Sequence, residues 1–134
     1  MNTRLIHLPK IADERGNLSF IEAGKPIPFF IERAYWIYDV PGGECRGGHA
    51  FKENQEFIIA ISGSFNIVVE NEAQMDIFTL NRPDQGLYVP KQTWRRLDNF
   101  STNAVALILA SHVYNQEDYI RDYKLFRSLP LEKP

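Results

Sequence analysis

One histidine, one glutamate and a few cations at set spacings carry most of the chemistry open to this chain. From Gly43 to Gly63 it reads G-ECRGG-HAF-KENQ-E-FIIAIS-G, so His49, Phe51 and Glu56 follow one another inside a glycine-bounded frame. Strand alternation puts His49 and Phe51 on one face. A histidine can act as base or acid near neutral pH without a large pKa shift. A second frame runs from Pro90 as P-K-Q-T-W-R-R-L-D-N, with Arg95 between Pro90 and Asn99. A guanidinium stays protonated and has no lone pair for a metal. His49 and Glu56 are then the metal donors left in these frames, and two are too few for a zinc or iron site. The expectation is a pocket without metal.

Arg33 and Tyr35 also share a face, with Trp36 and Tyr38 on the other. If Arg33 and Tyr35 face inward, they present a cation and a phenol to an interior cavity. A buried arginine is expensive unless it meets an anion. Arg15, Arg33, Arg46, Lys52, Arg95 and Arg96 form a scattered cationic set in a chain of net charge −2. Several flank the inferred cavity, and arginine grips phosphate through paired donors, which suggests a diphosphate ligand. No glycine-rich phosphate loop occurs, so side chains would hold it. His7 and His112 lie outside both frames and read as structural or exposed.

The elements that must position these residues are mostly short strands. The 134 residues fit one domain, spanning 1–134, with an ordinary 44% hydrophobic content. Strands are expected at Leu5–Leu8, Leu18–Glu22, Ile31–Val40, Gly48–Phe51, Glu56–Ser62, Phe65–Glu70, Asp76–Leu80, Gly86–Val89 and Ala104–Ala110. Turn residues at 13–17 and 41–43, two prolines at 26 and 28 and Ser62-Gly63-Ser64 separate them. Gln116–Ser128 reads as helix, with Tyr119, Ile120, Tyr123 and Phe126 at helical spacing. The fold class is all-β, a barrel or jelly roll with a short C-terminal helix. The charge balance gives no sign of nucleic-acid binding, and no apolar run reaches the length of a membrane span. The lone cysteine, Cys45, cannot form an internal disulfide, which fits a reducing compartment; a soluble, cytoplasmic protein is expected.

Both frames resemble the two cupin motifs, G-x5-H-x-H-x4-E-x6-G and G-x5-P-x-G-x2-H-x3-N, with Phe51 and Arg95 at metal-histidine positions and Gln92 at a glycine. The stretches RGGHA, AxSGSF, LNRPxxGLYVP, WR, DNFS and YNQEDYIRDY together resemble the sugar 3,4-ketoisomerases, the WxcM-like cupins acting on dTDP-4-keto-6-deoxyglucose. The resemblance runs from Asp13 to Tyr123. It implies a metal-free cupin that forms a strand-exchanged homodimer and moves the keto group of a dTDP-linked 4-keto-6-deoxyhexose from C4 to C3, for the deoxyamino sugars of bacterial surface glycans. It implies His49 as catalytic base, with Tyr35 beside the sugar and Arg15 and Arg95 near the hexose. Arg33, Arg46 and Lys52 are assigned to the nucleotide and its phosphates, and Phe51 either fills the volume of the missing metal or walls the sugar's methyl face. No cofactor is required, because the substrate oxidises and reduces itself. Many members read HAH or HSH where this chain reads HAF. That departure leaves two other readings, a non-catalytic nucleotide-sugar-binding cupin and a related sugar epimerase.

Overall fold

The structure, a computed structural model, describes residues 2–71 and 74–130. Two five-stranded antiparallel sheets face each other. The first runs β1 (Arg4–His7), β9 (Gln85–Val89), β6 (Glu56–Ser62), β11 (Val105–Ala110), β4 (Arg33–Tyr38). The second runs β12 (Tyr119–Ile120), β5 (Arg46–Phe51), β10 (Trp94–Asp98), β7 (Phe65–Asn71), β8 (Gln74–Leu80). This is the jelly-roll barrel of the cupins. A separate hairpin, β2 (Lys10–Asp13) and β3 (Gly16–Ser19), joins neither sheet, and all its residues are exposed.

Alternation builds the core. Ile58 and Ala60 of β6, Phe65, Ile67 and Val69 of β7, Leu87 and Val89 of β9, and Ala106 and Ile108 of β11 point between the sheets. The back of the first sheet is covered by Ile27 and Phe29, which pack with Phe57, Ile59 and Tyr88. The back of the second is covered by α1 (Tyr123–Ser128), whose Phe126 packs with Trp94, Ala50 and Ile120. With both faces covered, β6 is buried from Glu56 to Ala60 and reads as a continuous apolar run after Glu56.

The frame residues also have conformational reasons. Gly63 turns with φ +66°, and a Cβ there would sit 2.8 Å from Ala104 Cα. Gln92 and Asn99 take the same left-handed region, with φ of 60° and 53°. Gln92, at the position of a motif glycine, takes a conformation that glycine adopts without strain, and its N–H donates to the Phe51 carbonyl at 2.7 Å.

Several expectations change. β10, which carries Arg95, lies outside the expected strands, and the strand expected at Leu18–Glu22 is β3, Gly16–Ser19. Lys10–Asp13 is a strand the spacing did not reveal, because its partner is the adjacent β3 and its side chains face solvent without alternation. The expected helix over Gln116–Ser128 divides into a 3₁₀ turn at Gln116–Asp118, the short β12, and α1. Asp122 starts α1 by accepting from the Lys124 and Leu125 N–H groups, while Tyr119 and Ile120 pair with Phe51 and Ala50.

Candidate active site

The site forms at one end of the barrel interior, where alternation points several polar groups inward together. On β5, Gly47, His49 and Phe51 follow at every second residue; β10 sets Arg95 opposite His49. β6 contributes Glu56, and β4 contributes Arg33 and Tyr35. His49 and Phe51 are both buried, with ring centroids 4.8 Å apart in an edge-on contact. Tyr119 packs on both rings, at 4.9 Å from His49 and 4.6 Å from Phe51. β12 therefore closes an aromatic wall around the histidine. Phe51 is part of that wall.

His49 Nε2 is buried and has no hydrogen-bond partner among the described residues. Burial first, then the positive charges of Arg95, Arg121 and Arg33, push the His49 pKa down to about 2. The ligand-free histidine is a neutral imidazole with an unused polar nitrogen.

Beside it lies a closed ring of hydrogen bonds. Arg95 is 1% exposed. Its Nε donates to Glu56 Oε1 at 2.9 Å, and its Nη2 lies 2.8 Å from the same oxygen. Nη2 also donates to the Tyr35 hydroxyl at 2.9 Å, and the Tyr35 hydroxyl donates to Glu56 Oε2. Nη1 donates to the Gly47 carbonyl at 2.9 Å. Gly47 must be glycine here: it has φ +71°, and a Cβ would fall 2.0 Å from Arg95 Nη1. Burial, followed by the negative charge of Glu56, raises the Tyr35 pKa, so Tyr35 is a protonated phenol.

These contacts sort the expected site residues. His49, Tyr35, Phe51 and Arg95 come together as expected. Arg95 meets an anion of the protein itself: its donors go to Glu56, Tyr35 and Gly47. Glu56, considered above only as a leftover metal donor, is the partner that makes this buried arginine tolerable. Arg33 stands at the mouth, its guanidinium 4.9 Å from the Tyr35 ring centroid and 5.6 Å from that of Tyr114, with Nε buried and unpartnered. Lys52 is exposed just past β5. Arg46 is exposed and lines a groove with Trp36, Tyr38, Glu44 and Cys45, outside the His49 cluster. Arg15 is not drawn into this cluster: its side chain is 86% exposed at the tip of the β2–β3 hairpin and pairs with Asp13 at 2.8 Å. His112 is exposed, its Nδ1 2.7 Å from Ser111 Oγ.

The sequence reading missed Tyr119, Tyr114 and Arg121. Arg121 lies 4.2 Å over the Tyr119 ring and Tyr114 5.7 Å from it, so Arg33, Tyr114, Tyr119 and Arg121 make a continuous cationic and aromatic rim. The stretch YNQEDYIRDY carried these residues, but its helical spacing concealed that Tyr119 belongs to a sheet edge. Asp118 anchors the segment by accepting from the Glu53 and Asn54 N–H groups at 2.8 and 3.0 Å.

An imidazole with a free buried nitrogen, a protonated phenol, a fixed internal cation and a cationic rim suit proton transfer on an anionic carbonyl compound. Residues 1–130 match the family described as FdtA, WxcM-like, C-terminal. The chain is 39% identical over 127 residues to the TDP-4-oxo-6-deoxy-alpha-D-glucose-3,4-oxoisomerase of Aneurinibacillus thermoaerophilus, covering 95% of this chain and 91% of that one. It superposes with a TM-score of 0.91 on QdtA, a sugar 3,4-ketoisomerase from Thermoanaerobacterium thermosaccharolyticum solved with TDP, at 37% identity over 94% of this chain and 92% of that one. A 3,4-ketoisomerase from Helicobacter canadensis superposes equally, at 0.91, with 41% identity over 95% of this chain and 96% of that one. The chain belongs to the FdtA, WxcM-like family.

Proposed function

We propose that this member of the FdtA, WxcM-like family is a 3,4-ketoisomerase of TDP-4-keto-6-deoxyglucose, and that His49 and Tyr35 carry its chemistry. The observation that carries the assignment of residues is the buried His49 Nε2, which has no hydrogen-bond partner among the described residues and lies beside the Arg95–Glu56–Tyr35 ring, whose members are paired with one another. In a chain this similar to known 3,4-ketoisomerases, that nitrogen is the group left to meet the sugar.

The C4 ketone acidifies the proton on C3. His49 removes it, and the electrons form an enediolate across C3 and C4. The same imidazole, now protonated, returns the proton to C4, and the carbonyl appears at C3. One base can serve both carbons when they lie on one face of the ring. The charge on the oxygens develops beside Arg95, a cation held in place before reaction begins. The reading requires no metal: Glu56 has its oxygens engaged by Arg95 and Tyr35, and position 95 offers no lone pair.

Arg33 and Arg121 at the rim suit the diphosphate. Its negative charge would offset two of the cations that depress His49, so nucleotide binding itself makes the base more basic. A strand-exchanged dimer gives the β2–β3 hairpin its place: Ile11 and Leu18 are 58% and 55% exposed on it, and Arg15 at its tip reaches a sugar only across a subunit boundary.

The test is incubation with TDP-4-keto-6-deoxyglucose in D2O followed by NMR. Deuterium at the exchanged carbon and a 3-keto product are expected. Tight binding with neither exchange nor product would make this a nucleotide-sugar-binding protein instead.

A further inference from the structure

The Tyr35 hydroxyl lies between a group that only accepts and a group that only donates. A carboxylate has no hydrogen to give, and a guanidinium has no lone pair. Glu56 Oε2 therefore receives the Tyr35 hydrogen, and Arg95 Nη2 donates to the Tyr35 oxygen at 2.9 Å. The direction of each bond in the ring is settled. The single hydrogen of Tyr35 is committed inward, and what its oxygen still offers the cavity is a lone pair. A tyrosine wired this way cannot hand its proton to the substrate without first taking one.

We propose that Glu56 is a positioning residue of the isomerisation: it holds the Tyr35 hydrogen so that Tyr35 accepts a substrate hydroxyl proton while passing its own to Glu56. The inference rests on the ketoisomerase reading above. Isomerisation moves one proton from C3 to C4 and a second from O3 to O4; His49 handles the first. For the second, the O3–H bond breaks toward Tyr35 and its electrons form the C3 carbonyl. The Tyr35 O–H bond breaks toward Glu56 Oε2, and the C3–C4 double-bond pair takes the proton from the His49 imidazolium. The proton then returns from Glu56 through Tyr35 to the O4 alkoxide. Every group ends as it began, and no outside reagent is consumed.

A purely structural role explains the ring less well. Apolar residues of similar volume in place of a buried ion pair are often neutral or stabilising, and the rest of this interior is built that way. Arg95 holds Glu56 Oε1 through Nε and Nη2, so the acceptor at the end of the relay stays in register with Tyr35.

The test uses Glu56→Gln, Glu56→Asp, Tyr35→Phe and the double variant E56Q/Y35F. Glutamine can still accept from Arg95, but its amide donates toward Tyr35 and turns the phenol hydrogen outward. Glu56→Gln should lower kcat by roughly 10²–10⁴, the usual contribution of a placed proton-transfer group, with KM little changed. Glu56→Asp should recover part of that loss and stands in if the glutamine variant does not fold. In the Tyr35→Phe background, Glu56→Gln should change kcat by no more than about twofold, because Glu56 acts through Tyr35. Losses that multiply independently would overturn the relay. A second reading needs no substrate: 13C NMR of Cζ-labelled tyrosine, with the Tyr35 signal assigned by Tyr35→Phe. Glu56, Arg95, Arg33 and Tyr119 are the charged or titratable groups around that phenol. Its ionisation should move to lower pH in Glu56→Gln, and an unmoved signal overturns the hold of Glu56 on Tyr35. A wild-type protein that neither isomerises nor exchanges overturns the ketoisomerase reading and the relay with it. A wild type that turns over while Tyr35 ignores Glu56 overturns the relay alone.

Discussion

The two ends of the barrel interior are built from the same strands and differ by one alternation step. On β6 the inward residues run Glu56, Ile58, Ala60; on β10, Arg95 then Leu97; on β4, Tyr35 then Ile37. Beyond that step the interior is apolar, and fit depends on volume. Before it, each polar group needs a partner of opposite donor character. Ile58, Leu97 and Ile108 can be exchanged among hydrophobes of similar size at modest cost. Arg95 cannot be exchanged alone, because Glu56 would then be a stranded buried charge. Among the described residues the polar end leaves His49 Nε2 and Arg33 Nε without protein partners, and the imidazole nitrogen, which can take up a proton, is where chemistry is expected.

The difference can be pressed from both ends. His49→Asn should cause the largest change: isomerisation should fall by roughly 10²–10⁴ with the fold intact, read by turnover alongside thermal unfolding. Near wild-type turnover would move the base elsewhere. Arg95→Met should cost about 3–5 kcal/mol of stability by leaving Glu56 unpaired, measured by denaturant unfolding. Adding Glu56→Gln to that variant should restore part of the loss. If the single change costs nothing, the ion pair does not hold this end together.

Acid should expose the same end more gently. The folded protein holds the His49 pKa near 2, against an ordinary value of 6.5. Below the ordinary value the unfolded chain takes a proton that the folded chain refuses, so stability falls as pH drops through that window, and above it His49 contributes no pH dependence. His49→Asn should flatten this part of the stability profile between about pH 4 and 6.5. The wild-type imidazole should also become easier to protonate once TDP is bound, as NMR titration would show. The smallest effect belongs to the apolar end. Ile58→Val should cost about 0.5–1.5 kcal/mol and leave turnover unchanged. An activity loss there would mean that the two ends are coupled more tightly than their chemistry requires.

Much of the frame was legible because alternation is local. Phe65, Ile67 and Val69, or Ala106 and Ile108, announce an inward face from their own neighbours, and the spacing of His49 and Phe51 places both on one side of β5. β12 was not legible. Tyr119, Ile120, Tyr123 and Phe126 fit a helix by spacing, yet Tyr119 and Ile120 pair with Phe51 and Ala50 far back in the chain. A short strand held by a distant partner has no period of its own to read.

The amino-acid sequence by itself determined that the chain would be all-β, that positions 51 and 95 would withhold metal ligands, and that His49 shares a strand face with Phe51 and Tyr35 one with Arg33; each follows from residue type and a spacing of two. Only the tertiary structure decided what the charge of Arg95 meets. Glu56 lies 39 residues away and Tyr35 60, on strands of the facing sheet. Residue type states that a buried guanidinium requires an acceptor. Which acceptor it finds depends on the order of strands around the barrel, and that order emerges only when both sheets close on a common core.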